Sequence, residues 1–351
     1  MKYNTLGNSD LEVSEYCLGS MTWGEASSEA IGHWQLDAAI GNGINFVDTA
    51  EMYPTNPMRR ETAGRTEEII GSWIKKRNHR NDLIIATKIT GEGSTTVRGG
   101  EPITKDQIIR SVDQSLSKLN TDYIDLYQLH WPNRGSYHFR KYWNFDPKLQ
   151  STAEMDDHVE ETLNILSNLI EQGKIRAIGL SNESAWGTMK FVEHAKRSNL
   201  TQVVSIQNEY SLLCRLFDTD LSEVCHHENI QLLSFSPLAA GLLTGKYQKN
   251  KIPKGSRLQV TADTSPNLSG RIGPNTFEAV EAYLSIAKIY NIDPTHMALA
   301  FCASRPFMGS VIFGATNNTQ LTHIIDGLNT TLSDEVLTAL NNVNRQHPMP
   351  I

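Results

Sequence analysis

In the stretch GINFVDTAEMY an apolar run, Ile44 to Val47, stops on Asp48, and a phenol, Tyr53, follows five residues later. Four more apolar runs stop the same way: on Lys88 (IIATKI), on His130 (LYQLHWP), on Ser181 and Asn182 (IGLSNES), and on Gln207 and Asn208 (SIQNEYS). A carboxylate, a phenol, an amine and an imidazole can move or hold protons, while amides and hydroxyls orient a bound molecule. Each has a plain structural reading when taken singly. Asp and Thr cap helices, a Tyr one turn on can pack, and a polar residue after a strand can be a solvated loop residue. Five such strand ends in succession favour one shared rim, with Asp48 and Tyr53 as part of it.

The rim needs elements to build it. Eight short apolar or β-branched runs read as strands, at residues 16–19, 44–47, 83–87, 123–129, 175–181, 203–207, 230–236 and 310–314. Stretches of helical period separate them, such as Ile108, Val112, Leu116 and Leu119, or Val159, Leu163, Leu166 and Ile170. Eight βα units over about 300 residues predict a (β/α)8 TIM barrel, whose sites are assembled at the C-terminal ends of the strands. An open doubly wound sheet is the rival, but no G-x-G-x-x-G turn or P-loop motif occurs. The opening YNTLGNSDLEVSE predicts a hairpin that closes the barrel floor. No repeat or low-complexity linker marks a boundary, so residues 1–351 are expected to form one domain.

Composition excludes several classes. Lys plus Arg at 32 against Asp plus Glu at 39 gives a net charge of -7 with no basic stripe, which argues against nucleic acid as a partner. Cys17, Cys214, Cys225 and Cys302 are scattered and show no metal-binding or disulfide spacing. His226 and His227 point in different directions on a helix and read as surface residues. No metal site is expected. The first residues lack a signal-peptide core and no apolar run is long enough to cross a bilayer, so a cytoplasmic protein without membrane contact is expected.

The segments GINFVDTAEMY, IIATK, DYIDLYQLHWP, KIRAIGLSN, IQNEYSLL, SFSPLAAGLLTGKY and VIFGATNNTQL resemble, in that order, the aldo-keto reductases, and the arrangement is similar to their bacterial Tas-like branch. The resemblance spans nearly the whole chain. It implies a (β/α)8 barrel that reduces aldehydes or ketones with NADPH through a tetrad of Asp48, Tyr53, Lys88 and His130. In that reading Tyr53 donates the proton as negative charge develops on the carbonyl oxygen. Lys88 would lower the phenol's pKa, Asp48 would hold the Lys88 ammonium, and His130 would orient the carbonyl.

The same resemblance places Ser181, Asn182 and Gln207 at the nicotinamide carboxamide. It runs Phe235, Ser236, Pro237 and Leu238 along the nicotinamide and pyrophosphate, with Lys246 as a phosphate contact. Gly314, Ala315, Thr316 and Gln320 would lie at the adenine end, before a helix N-terminus suited to a phosphate. For Phe235 and Lys246 core packing and a plain surface lysine are the alternatives. The chain departs from the family pattern where relatives carry a Glu-Asn pair, for His323 and Ile324 stand there. No Lys or Arg in GATNNTQLTH grips a 2'-phosphate, so Lys254 or Arg257 in the loop IPKGSRL is the candidate, and NADH is the other cofactor to test. Trp23, Met52, Trp131, Tyr137 and Phe139 are candidates for an aromatic and thioether wall around the substrate. Barrels of this family also serve as redox-sensing β-subunits of potassium channels, which is the second functional class the resemblance implies. Nothing in the sequence indicates the oligomeric state.

Overall fold

The computed structural model describes residues 1–78 and 80–351. It opens with an antiparallel hairpin, β1 (Tyr3–Thr5) and β2 (Glu12–Ser14), paired Tyr3 to Ser14. Eight parallel strands follow: β3 (Tyr16–Gly19), β4 (Phe46–Asp48), β5 (Ile84–Ile89), β6 (Ile124–Leu129), β7 (Ile175–Ser181), β8 (Val203–Glu209), β9 (Gln231–Phe235) and β10 (Met308–Phe313). They close in sequence order, with β10 beside β3, into the expected (β/α)8 TIM barrel.

Two apolar layers hold it. Outside the sheet, Leu18, Val47, Ile85, Tyr127, Ile178 and Ile206 pack under the helices in one large cluster. Inside, Cys17, Phe46, Ala86, Leu126, Ala177, Val204, Leu233 and Ile312 fill the lower barrel. Leu6, Leu11 and Val13 of the hairpin join that inner cluster, so the hairpin is the floor. A strand buried on both faces must be apolar on both, which is why these strands read as continuous runs.

Recurrent capping punctuates the βα units. Ser28, Thr104, Ser151, Ser184, Asn317 and Ser333 each accept the backbone N–H three residues on. Asn78, Asn120, Asn199 and Asn229 end helices in the left-handed conformation that Asn tolerates. At Gly71 a Cβ would lie 2.0 Å from the Lys118 carbonyl oxygen, so only glycine lets helix 65–77 pack against helix 105–119.

Two details differ from the sequence reading. Strand β4 begins at Phe46 and not at Ile44, because the Asn45 side chain is used elsewhere. Its Oδ1 accepts the Ser14 N–H at 2.8 Å and its Nδ2 donates to the Glu12 carbonyl at 2.8 Å, which ties the strand entrance to the hairpin. Strand β9 is followed by a long run of turns, 3-10 segments and a four-residue helix, Arg257–Val260, before the helix Thr276–Ile289. That excursion arches over the C-terminal rim.

Candidate active site

Asp48 is the last residue of β4, so it caps no helix, and the capped-helix alternative falls away. Lys88 lies one residue before the end of β5, and the two side chains meet inside the barrel mouth. Lys88 Nζ donates to Asp48 Oδ2 at 2.8 Å and to the Thr49 carbonyl at 2.6 Å. The other carboxylate oxygen, Oδ1, accepts the Gln207 amide at 2.7 Å, and that amide lies 3.3 Å from Gln128 Oε1. Asp48 and Lys88 are 3% and 0% exposed, so the pair is held with almost no water.

Tyr53 sits above this pair. A turn closed by its N–H on the Ala50 carbonyl returns the ring over the barrel, 4.8 Å from Lys88 Nζ to the ring centroid. His130 leaves β6 with its N–H on the Ile89 carbonyl, and its ring meets Tyr53 edge-on at 5.8 Å. Four residues from four positions in the chain thus converge on one mouth.

Burial sets the charges there. It pushes the Tyr53 phenol up, against the pull of the Lys88 ammonium, and the phenol ends above its ordinary value. The expectation that Lys88 would bring the phenol below that value is therefore reversed in this structure: the cation acts in the expected direction, but desolvation outweighs it. Burial works against the charge of Lys88 itself, yet Asp48 and Tyr53 outweigh it and raise its pKa. Burial, then the Lys88 charge, hold His130 well below the ordinary imidazole value. At neutral pH the mouth carries a protonated phenol, an ammonium and a neutral imidazole.

Beyond His130 the rim continues through Ser181 and Asn182. Ser181 Oγ donates to the Gln207 carbonyl at 2.8 Å, and Asn182 Nδ2 donates to the His130 carbonyl at 2.9 Å. Asn182 holds a left-handed backbone, φ 52°, and its buried Oδ1 has no partner among the described residues. Backbone in this region of φ for a non-glycine residue carries a cost that the surroundings must hold in place. Ser236, Ala239 and Ala240, at the exit of β9, share it. Phe235 is half-buried at the end of β9, followed by Pro237 and Leu238.

Lys246 is half-buried against the Tyr247 ring, 5.1 Å from its centroid, and the missing side chain at Gly241, where a Cβ would lie 2.6 Å from Nζ, leaves room for its ammonium. Arg257 turns inward from the arch, and its charge reaches Tyr53. Burial, then the Arg271 guanidinium, push Arg257 down to about 10; burial, then Arg257, lower Lys246. Among the described residues neither side chain makes an ion pair or hydrogen bond. Lys254, by contrast, is exposed.

Across the mouth, Gly314, Ala315 and Thr316 lead into the helix Asn318–Asp326. The Ala315 carbonyl accepts Gln35, the Thr316 carbonyl accepts Ser27, and Gln320 turns back to accept the Thr316 N–H at 2.9 Å.

Of the residues read as a substrate wall, Met52 and Trp131 gather with Tyr53, Ala50, Met21 and Val97. Trp131 also packs on His130 and edge-on against Phe139. Tyr137 lies farther out on His138 and Phe145. Trp23 departs from the expected wall: it is fully buried, its indole N–H bonded to Gln35 at 2.8 Å, and Gly32 packs against its ring.

Two charged clusters at the rim carried no signal in the strand-end reading. Glu209 ends β8 and pairs with Arg140 from the loop after β6 and with Arg271 from the arch, at 2.7 Å. Arg271 also donates to Ser236 at 3.2 Å. Glu51 pairs with Arg98 and accepts the Thr90 N–H and the Ser111 hydroxyl, both at 2.5 Å. Glu209 directly follows Gln207 and Asn208, so extending that strand by two residues exposes the signal.

The Aldo/keto reductase family model matches residues 15–345. The chain is 40% identical to the protein named Protein tas of Escherichia coli K12, over 100% of this chain and 99% of that one. It is 29% identical to the uncharacterized oxidoreductase YrpG of Bacillus subtilis, covering 98% of this chain and 96% of that protein. It is also 30% identical to a probable voltage-gated potassium channel subunit beta of Arabidopsis thaliana, over 92% of this chain and 89% of that one.

Proposed function

The chain belongs to the aldo/keto reductase family, and from that premise we propose that it reduces aldehydes or ketones to alcohols with NADPH, Tyr53 acting as general acid. The observation that carries this reading is the stack of Tyr53 over the buried Lys88–Asp48 pair.

A bound nicotinamide supplies the hydride that adds to the carbonyl carbon. The protein supplies the proton and the field. Tyr53 gives its hydroxyl proton to the carbonyl oxygen as negative charge builds there, and Lys88 stabilises the phenolate that remains. Asp48 and Gln207 keep Lys88 from swinging away, since any other position costs a buried ion its partner. His130, neutral, offers a hydrogen bond to the carbonyl oxygen from the side facing Tyr53.

The residues present fit the cofactor. The unpartnered Asn182 Oδ1 can accept an amide N–H of a carboxamide, with Ser181 and Gln207 beside it. Ser236, Ala239 and Ala240, whose backbone is left-handed, flank Pro237 and Leu238 in the segment after Phe235 that would run along the nicotinamide and pyrophosphate. Among the described residues Lys246 and Arg257 have no ion-pair partner in direct contact, which suits a pyrophosphate or 2'-phosphate, and Arg257 is the better placed of the two loop candidates. Gly314, Ala315, Thr316 and Gln320 would take the adenine end, with NADH as the cofactor of comparison. Met52 and Trp131 would face an apolar or aryl substituent of the substrate.

The relative named as a potassium channel subunit favours a second reading, a nicotinamide-binding redox-sensing subunit with little turnover. The test separates them. Purified protein mixed with nitrobenzaldehyde and NADPH, with NADH in parallel, should consume the reduced cofactor, and Tyr53→Phe should lower kcat by about 10² to 10⁴ while retaining cofactor binding. Tight cofactor binding with no consumption of any aryl aldehyde would favour the second reading.

A further inference from the structure

At the position where the family pattern is broken, His323 projects from the helix Asn318–Asp326 towards the start of the helix Pro294–Ala303. There it meets Asp293 and His296. Asp293 is the N-cap of that helix, its Oδ1 accepting the Thr295 and His296 N–H groups at 2.8 and 3.2 Å. His323 Nε2 lies 3.3 Å from the same Oδ1, and the two imidazoles stack at 4.7 Å and 30°. One ring nitrogen of each histidine and a carboxylate oxygen lie within 4.8 Å of one another.

We propose that Asp293, His296 and His323 form a binding site for a divalent transition-metal ion of the zinc class. Three features carry it. The first is the ligand set, two imidazoles and one carboxylate, which suits zinc and its neighbours in the affinity order better than magnesium or calcium. The second is spacing. Zinc holds nitrogen and oxygen ligands at about 2.0 to 2.2 Å in a tetrahedron, which sets neighbouring ligand atoms about 3.4 Å apart. The 3.3 Å between His323 Nε2 and Asp293 Oδ1 meets that edge without any movement.

The third is the support around the ligands. His296 Nε2 donates to the His323 carbonyl at 2.7 Å, which fixes the tautomer and leaves Nδ1 with its lone pair. Histidines that bind metals characteristically commit their second nitrogen to a carbonyl or carboxylate in this way. A Cβ at Gly327 would lie 2.0 Å from His296 Cδ2, so a glycine is what lets the ring lie against that helix end. Asp293 Oδ1 is held in place by two backbone N–H groups, while among the described residues its second carboxylate oxygen accepts no hydrogen bond. The three donors leave a fourth tetrahedral position for water, and His323 is exposed enough for the ion to enter.

Metal binding is read directly, with no cofactor or substrate present, so its failure is distinct from failure of the reductase reading. The wild-type chain, stripped with a chelator, is titrated with Zn²⁺ by calorimetry and with Co²⁺ by visible absorption. The expected result is one equivalent bound, with the intense visible bands of tetrahedral Co²⁺. His323→Ala should abolish that equivalent. Asp293→Asn keeps a good N-cap but loses the charged ligand, and should weaken binding by more than about tenfold. Because His323 is exposed, its variant should melt as the wild type does, which keeps the test independent of folding. Absence of a wild-type equivalent, or binding that survives both substitutions within about twofold, would overturn the proposal.

Discussion

The Lys88 ammonium and the Asp48 carboxylate lie 2.8 Å apart in a space closed to water, each with one further hydrogen-bond partner. Such a pair is costly to break from one side. Asp48→Ala leaves a buried ammonium without a counter-charge and should destabilise the fold by about 3 to 5 kcal/mol. The double variant Asp48→Ala, Lys88→Met should recover part of that loss. Urea unfolding of the three proteins measures both effects, and a double variant no more stable than Asp48→Ala would contradict the pairing.

Lys88 also pulls the Tyr53 phenol down against burial. In Lys88→Met that pull is gone, so the phenol rises further and the alkaline limb of kcat/KM for carbonyl reduction should move to higher pH as the rate falls. The acid form is the active one, so the limb marks proton loss. An alkaline limb in the same place in both proteins would detach Tyr53 from Lys88.

Arg257 and Lys254 give opposite expectations. Arg257→Ala removes a half-buried guanidinium and should weaken NADPH by about 1.5 to 3 kcal/mol, roughly tenfold to a hundredfold, with NADH affected less. Lys254→Ala changes an exposed residue and should leave both unaltered. Fluorescence titration with each cofactor decides. Equal wild-type affinity for NADH and NADPH would remove the phosphate role.

Burial holds His130, His138 and His158 below the ordinary imidazole value. Their unfolded forms bind protons near pH 6.5 and their folded forms do not, so stability is full above that pH and is lost as pH falls through it. The melting temperature should therefore be level from pH 8 to about 7 and decline towards pH 5.5. A melting temperature that rises on acidification in this window would contradict the assignment.

The barrel was legible because parallel strands buried on both faces must be apolar throughout and must stop where the rim begins. Asp48, Lys88, His130, Ser181 and Gln207 are those stops. What stayed hidden depends on partners far away in the chain. Glu209 gains meaning only from Arg140 and Arg271, 69 and 62 residues off, and no local pattern records such pairs. Trp23 misleads for the converse reason: an aromatic residue after a strand looks like a pocket wall until Gln35, on the next helix, takes its N–H.

The barrel is sealed by its first and last strands, Tyr16 of β3 lying beside Val311 of β10. During synthesis the ribosome must deliver almost the whole polypeptide before that seam can form. Until then the nascent chain presents an open sheet whose β3 edge has unpaired main-chain groups, the template along which unfinished sheets associate. In the closed barrel the hairpin from β1 to β2 packs beneath both strands of that seam, so the segment made first ends up covering the joint that is made last.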